Sequence, residues 1–397
     1  MVFFSTPVRI SLFFAASFVP IGVQLPFLPV LLAARGLDAE AIAIVTTVPI
    51  VMRLATASLL GSFADRLGDR RAALVIYTSV TLLGVLAIGR ATDFRGLLLA
   101  TALTFLAWNG VLPVTDALAT GAVRRGEAVY GRMRVWGSAA FVAANLVAGW
   151  VAARHGAEGI WWFLLLGAAG QIAAAFALPR DRGEAGAARV REGLIAGMRR
   201  VARDRRLMAV FVGVAILQSS HAMLYGFASL YWASLGFSGG EIGILWAVGV
   251  SGEIALFVFS GRALARVGAR GLVAIGGIGG VVRWALFPLL GGGLETWIGL
   301  QLLHAATFAA THLGTMTVVA RAVDERRAAT AQGVMVSING VVMALATLAS
   351  GPLYHRFGGG AFAAMAVLAA IGGAILVAAT AVQPHSAGSG GNTRDPS

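Results

Sequence analysis

The sequence predicts an all-α membrane protein with twelve transmembrane helices in two pseudo-symmetric six-helix bundles. Three observations predict it. The 397 residues are 58% hydrophobic and only 12% charged, with a mean hydropathy of +0.81. A soluble domain carries about twice that share of charge, so soluble enzymes are excluded. Twelve stretches come near the ~20 mostly apolar residues that a bilayer-spanning helix needs. Finally, the second half of the chain repeats features of the first at an offset of 200 residues.

In the first half the spans fall at 8–33, 41–63, 72–90, 96–122, 133–153 and 159–178. In the second they fall at 207–234, 241–264, 272–290, 296–320, 329–352 and 361–382. A helix bonds its own backbone polar groups, as lipid demands. The first span is too long for a cleaved signal peptide. The organisation that follows is an N-terminal bundle over 1–178, a central loop over 179–206, a C-terminal bundle over 207–382 and a tail over 383–397. The loop, rich in Arg, Gly and Ala, predicts a short amphipathic surface helix around Val190–Arg203. The Gly/Ser/Pro-rich tail reads as disordered.

Orientation follows from the cations, which are all Arg. The connections 64–71, 124–132, 180–206, 262–270 and 321–327 hold twenty-one of them. The opposite set holds Arg35, Arg90, Arg95, Arg154 and Arg356. Positive-inside bias places the rich set and both termini in the cytoplasm of a multi-pass cell inner membrane protein. The net charge of +13 is thus accounted for by topology, with no nucleic-acid partner. Zero Cys excludes disulfides, thiolate metal sites and cysteine nucleophiles.

The repeat is specific. Gly36, Ile42, Ile44, Gly61, Arg66, Gly68 and Arg70 recur as Gly236, Ile242, Ile244, Gly261, Arg266, Gly268 and Arg270. Gly131 and Gly149 match Gly333 and Gly351 at offset 202. Two parallel six-helix repeats place an axis along the membrane normal and a cavity between the bundles, the geometry of alternating access. The segment Gly61–Arg71, G-S-F-A-D-R-L-G-D-R-R, resembles the loop signature of the major facilitator superfamily. Its glycines permit a tight turn. Asp65 can accept bonds from a helix N-terminus or an Arg and so latch the cytoplasmic side. Gly61, Asp65, Arg66, Gly68, Arg70 and Arg71 form this gate motif; the second copy has Ala265 in place of the Asp and should not latch. The bland alternative is a basic loop serving topology alone.

The segments Val111–Ala119, Tyr130–Ser138, Leu217–Phe227, Gly280–Trp284 and Leu300–Leu313 resemble the phenylpropionate permease family more closely. That family is related to the nucleoside and oligosaccharide proton symporters. The resemblance implies a proton-coupled uptake carrier without fixing its substrate.

Ionisable groups inside the spans are few: Asp116, Glu253, Arg53, Arg134, Arg283, His221, His304 and His312. A buried ion costs at least ~2.5 kcal/mol at the bilayer centre, so paired or cavity-facing placement is expected. Glu253, Arg283 and His304 sit at comparable depth in the C-terminal bundle, and Arg283 moving towards or away from Glu253 would alter its hold on a proton. This set resembles the proton-coupling constellation of the oligosaccharide symporters, with Thr307 where those carry a second carboxylate. A static buried pair that only fixes packing is the alternative. His312, eight residues on and about 80° round an α-helix, joins the proton-coupling candidates without necessarily facing the same cavity. Thr307, Thr311 and Thr315 form a polar stripe from His304.

Asp116 and Arg134 flank the loop between spans 4 and 5 at matching depth, so a direct ion pair is expected, and Arg134 could hold a substrate carboxylate bidentately. The alternative is a structural hairpin clamp. The resemblance implies substrate contact for both. Arg53 corresponds to Glu253 by the repeat, and the two charges could meet across the cavity. Trp108, Asn109 and Tyr225 are candidate walls for an aromatic substrate. Gln24, beside Pro26 and Pro29, marks an irregular first helix, and Gln218 and His221 share a face of span 7.

The leading expectation is proton-driven import of a small organic solute such as a phenylpropionate-like aromatic carboxylate. The protein would be no enzyme: H-E-x-x-H and comparable pairings are absent from the sequence. No cofactor or metal is called for, the proton gradient being the energy source. Its partners would be substrate, protons and lipid bilayer, acting as a monomer. Alternatives are a proton-driven efflux antiporter, disfavoured by the lack of Pro in Gly131–Ala153, a nucleoside or sugar proton symporter, and a non-transporting receptor, which would have no use for intramembrane charge.

Overall fold

The computed structural model describes residues 5–180 and 194–381. The first half holds α1 (Thr6–Ala34), α2 (Ala39–Leu67), α3 (Arg70–Arg90), α4 (Phe94–Arg124) and α5 (Tyr130–Ala177). The connection contributes α6 (Leu194–Arg203). The second half holds α7 (Arg205–Ser219), α8 (Ala222–Ser234), α9 (Gly239–Val258), α10 (Ser260–Leu286), α11 (Leu294–Leu302), α12 (Thr311–Ala322), α13 (Glu325–Phe357) and α14 (Phe362–Ala381). A π-helical turn, Ala305–Ala310, joins α11 to α12.

Ten described helices are long and apolar enough to cross a membrane, and two of them, of 48 and 52 residues, hold two spans each. α5 turns back at Gly156 (φ +62°), and α13 passes to α14 through Gly358 (φ +51°). The count of twelve is recovered. The loop acids explain where helices start: Asp38, Asp69, Asp93 and Asp204 accept the first free N–H groups of α2, α3, α4 and α7. Ser238 and Glu241 form a capping box on α9.

The sequence repeat is largely a repeat of turns. Gly68 and Gly268 share a positive φ (+68° and +69°), as do Gly36 and Gly236 (+83° and +93°). An L side chain there is strained, so glycine persists at both copies.

Close helix approach relies on small residues, the usual device where lipid offers no hydrophobic drive between helices. A Cβ on Gly22 of α1 would lie 2.8 Å from the Phe141 carbonyl of α5. The two halves meet where α5 crosses α9 and α2 crosses α13. A Cβ on Gly149 would lie 3.0 Å from Gly243 Cα, and one on Gly351 would lie 2.7 Å from Ala43 Cβ. Both crossings belong to the Arg-poor ends of the helices, where His355 also pairs with Glu40 at 4.0 Å.

Two features differ from expectation. α1 runs unbroken through Pro20, Pro26 and Pro29. Span 7 breaks instead, between α7 and α8, where Ser220 Oγ donates to Leu217 O (2.7 Å) and His221 Nδ1 meets Gln218 O (3.0 Å). Those side chains occupy carbonyls that a continuous helix would bond. The connection's expected surface helix is present over its described part, Leu194–Arg203, and buries Val201; Val190 to 193, and the tail over 383–397, lie outside the described residues.

Candidate functional site

A cavity of about 510 Å³ lies at mid-depth between the halves. Five of the eight expected substrate-binding residues line it: Gln24, Trp108, Asn109, Gln218 and Tyr225. Arg53 and His312 line it too, and among the described residues no Asp or Glu does. Phe105 and Phe308 add aromatic wall. Asp116, Arg134 and His221 are absent from the lining.

Behind the cavity wall, three of the four proton-coupling candidates, Glu253, Arg283 and His304, form a chain. Arg283 is fully buried. Its Nη1 donates to His304 Nδ1 (3.0 Å) and Thr307 Oγ1 (3.1 Å), and its Nη2 donates to Gln301. Its guanidinium also lies 4.5 Å over the Trp284 ring, and Trp284 donates to Ser220 Oγ (2.9 Å). Guanidinium can only donate, so His304 Nδ1 must be the acceptor and the ring proton sits on Nε2. That Nε2 points at Glu253 Oε2, 3.6 Å away. The expected contact between Arg283 and Glu253 is therefore replaced by a bridge through His304. Arg283 reaches the ring nitrogen first, and it leaves the carboxylate to the opposite edge of the imidazole.

His221 belongs to this chain rather than to the cavity. Its Nδ1 faces a backbone carbonyl, which only accepts, so Nδ1 carries the proton and Nε2 takes the Thr307 hydroxyl at 3.0 Å. Thr307, which stands where the resemblance would have a carboxylate, links Arg283 to His221 through one hydroxyl. Thr311 and Thr315 are buried beside it, each with an unpartnered Oγ1; only Thr315 lines the cavity.

Two expected pairings do not form. Asp116 accepts from Tyr130 Oη (2.8 Å), while the Arg134 guanidinium lies 4.2 Å over Phe18 and 5.7 Å over Phe14. Among the described residues no ion pair within 4.0 Å joins them, because the two Phe faces hold the cation and Tyr130 takes the carboxylate. Arg53 and Glu253 do not meet either: Arg53 faces the cavity and Glu253 lies behind its wall. His312 is separated from the buried chain, stacking on Phe308 (6.4 Å) and against the edge of Phe257 (6.0 Å).

In the gate motif, Asp65 and Arg66 are exposed. Asp65 accepts no bond among the described residues; Asp69 caps α3 instead, at 3.0 and 3.2 Å from the N–H groups of Arg71 and Ala72. The left-handed turn at Gly68 ends α2 and leaves Asp69 directly ahead of Arg70 and Arg71, so the capping acid is the second one of the motif. Gly61 stays within α2, with open space at its Cα.

Sequence reasoning missed Gln301, Phe308 and Asn339. Gln301 precedes His304 by three residues, a spacing that signals a shared helical face. Asn339 lines the cavity with an unpartnered Oδ1. Phe308 carried no signal, since one Phe in an apolar span is unremarkable.

Comparison with known proteins agrees with this architecture. A family model described as the MFS_1 like family matches residues 7–364. A probable 3-phenylpropionic acid transporter of Escherichia coli (strain K12) is 32% identical over 354 residues, which are 88% of this chain and 91% of that one. A maltose permease of Geobacillus stearothermophilus is 25% identical over 281 residues, 70% of this chain and 69% of that one. The crystal structure of the nucleoside transporter NupG superposes with a TM-score of 0.84, covering 96% of this chain and 100% of that one at 16% identity, a likeness of fold.

Proposed function

The chain belongs to the MFS_1 like family of membrane transporters, and from that premise we propose that it imports a small aromatic carboxylate together with a proton. The observation that carries the proposal is the charge of the cavity wall: among the described residues, one guanidinium, Arg53, and no carboxylate. A bound carboxylate would fork onto Arg53, and its ring would pack among Phe105, Trp108 and Phe308. The printed name of the Escherichia coli relative supports an acid of this kind. Gln24, Asn109, Gln218 and Tyr225 would orient the substrate; Arg134 and Asp116 would act from below the cavity.

Glu253 is the proposed proton site. It lies 3.6 Å from an imidazole whose tautomer Arg283 sets, so the carboxylate meets an N–H when ionised and keeps its fixed neighbours when protonated. The bundles 1–178 and 207–382 would rock about the cavity, with the Arg-rich connections and both termini in the cytoplasm.

The test is uptake into proteoliposomes. An imposed acid-outside gradient should drive accumulation of labelled 3-phenylpropionate, and a protonophore should abolish it. Glu253→Gln should lose accumulation and retain exchange of internal for external substrate. Undiminished uphill uptake by that variant would remove Glu253 from coupling. Proton-driven extrusion of the acid would instead establish the antiport alternative.

A further inference from the structure

The substrate cavity and the buried chain share a wall, and one ring in it meets three histidines of the second half. Phe308 lines the cavity. Its ring stacks on His304 (5.5 Å between centroids, 16° between planes) and on His312 (6.4 Å, 4°), and it meets His221 edge-on (6.1 Å, 85°). Tyr225 closes the adjoining stretch of wall, stacking on His221 at 6.0 Å. Gln218 Nε2 reaches the Phe308 carbonyl at 3.5 Å.

The π-helical turn creates this column. In an α-helix His304, Phe308 and His312 would drift round the axis by about 40° for every four residues. The wider turn over Ala305–Ala310 counteracts that drift, so imidazole, phenyl and imidazole stand in line. A phenyl ring has no atom that can carry a proton. It therefore interrupts what would otherwise be a path from His312, exposed on the cavity side, to His304, buried on the other. Beyond His304 lie Glu253 of α9, Arg283 of α10 and His221 and Tyr225 of the α7–α8 break, while Arg134 of α5 acts on Glu253 from the first half. On the cavity side the ionisable groups among the described residues are Arg53, His312 and Tyr225, the last reaching both the cavity and His221.

We propose that Phe308 is the positioning residue that couples the two sites: its ring insulates the proton chain from an empty cavity, and the aromatic part of a bound substrate packs against the opposite side of that ring and moves it. This rests on Glu253, His304 and Arg283 being the proton site. Substrate then alters proton access without touching Glu253. An empty cavity leaves His304 sealed, and the carrier does not conduct protons alone.

The experiment compares Phe308→Leu, Phe308→Tyr and Phe105→Leu with the wild type in proteoliposomes, using 3-phenylpropionate as probe and a trapped pH dye. Phe308→Leu should exchange the probe with an affinity about threefold to tenfold weaker, the range one aromatic contact supplies. It should also fail to accumulate the probe and should acidify the lumen without it. Phe308→Tyr should keep wild-type affinity for the probe, which separates a lost ring from a misfolded helix, and should still leak because its hydroxyl can pass a proton. Phe105→Leu, in the cavity wall away from the histidines, should weaken affinity and remain coupled. Wild-type accumulation by Phe308→Leu with no added proton leak overturns the partition alone. Equal uncoupling by Phe105→Leu also overturns it, since any cavity defect would then suffice. A wild-type protein that shows no proton-linked uptake overturns the proton site and the partition together.

Discussion

Arg53→Gln tests the charge of the cavity most directly. Among the described residues the wall offers one guanidinium and no acid, so the variant removes that positive charge from the lining while keeping an amide donor of similar reach. A hydrogen bond to a charged group is worth about 1.5–3 kcal/mol and a neutral one about 0.5–1.5 kcal/mol. The midpoints differ by about 1.3 kcal/mol, close to a factor of ten in binding. Calorimetry on the purified protein should therefore show 3-phenylpropionate binding about tenfold more weakly, with the neutral 3-phenylpropanamide changed by less than about twofold. Arg53→Met, which removes the donors as well, should cost about 10- to 150-fold for the acid across the charged-bond range. Arg134→Ala is the counter-test. Its guanidinium is held on Phe18 and Phe14 outside the cavity lining, so the acid-to-amide ratio should survive even if both affinities fall. Acid and amide weakening alike in Arg53→Gln, or the ratio collapsing in Arg134→Ala alone, would refute the assignment and restore Arg134 as the carboxylate holder.

Gly149→Leu should hold the Arg-poor end open, because a Cβ there already lies 3.0 Å from Gly243 Cα. The chain has no Cys, so spin labels can replace Glu40 and His355, which face each other across that end at 4.0 Å. Their distance distribution should shift to longer values, and an unchanged distribution would show that the crossing of α5 and α9 does not limit closure. Thr307→Val should leave an Arg283 N–H and His221 Nε2 unpartnered in a buried site, at about 1–3 kcal/mol for each. A thermal melt should fall by several degrees, whereas Thr307→Ser should restore it. A melt unmoved by Val would mean that the hydroxyl bridge contributes nothing.

Hydropathy showed the twelve spans because lipid imposes one length and one composition on each of them. The repeat showed the turns, since Gly36, Gly68 and their copies Gly236 and Gly268 sit in a backbone region that other residues avoid. Intramembrane charge also stood out, and Glu253, Arg283 and His304 do come together. The rotation of each helix was much less legible. Counting 100° per residue set His312 about 80° from His304, and the π turn brought the two into one stacked column. Likewise, matching depth suggested that Asp116 would pair with Arg134, although depth says nothing of competing rings such as Phe18 or of Tyr130 reaching the carboxylate first. The break at Ser220 and His221 was hidden for a related reason: no Pro or Gly marks it, and side-chain bonds join tightened backbone bonds in sustaining it.

The separation of Arg53 from Glu253 makes physical sense of coupling. By the repeat they occupy equivalent positions, 200 residues apart, yet one faces the substrate cavity and the other the imidazole behind it. With the proposed ligands there are four states. An empty carrier holds Arg53 as a cation and Glu253 as an anion, so the two sum to zero. A doubly loaded carrier pairs Arg53 with a carboxylate and protonates Glu253, and again the sum is zero. Each singly loaded state leaves one uncompensated charge between the bundles. An occluded intermediate is shut off from water at both ends, and an unpaired ion there costs at least ~2.5 kcal/mol on the most lenient scale, about a factor of sixty in population. The balance is taken over the two loading sites, with Arg134, Arg283 and Asp116 held fixed. The occluded state would then favour anion and proton together or neither, and symport would follow from charge balance, with Phe308 setting the order in which the two sites fill.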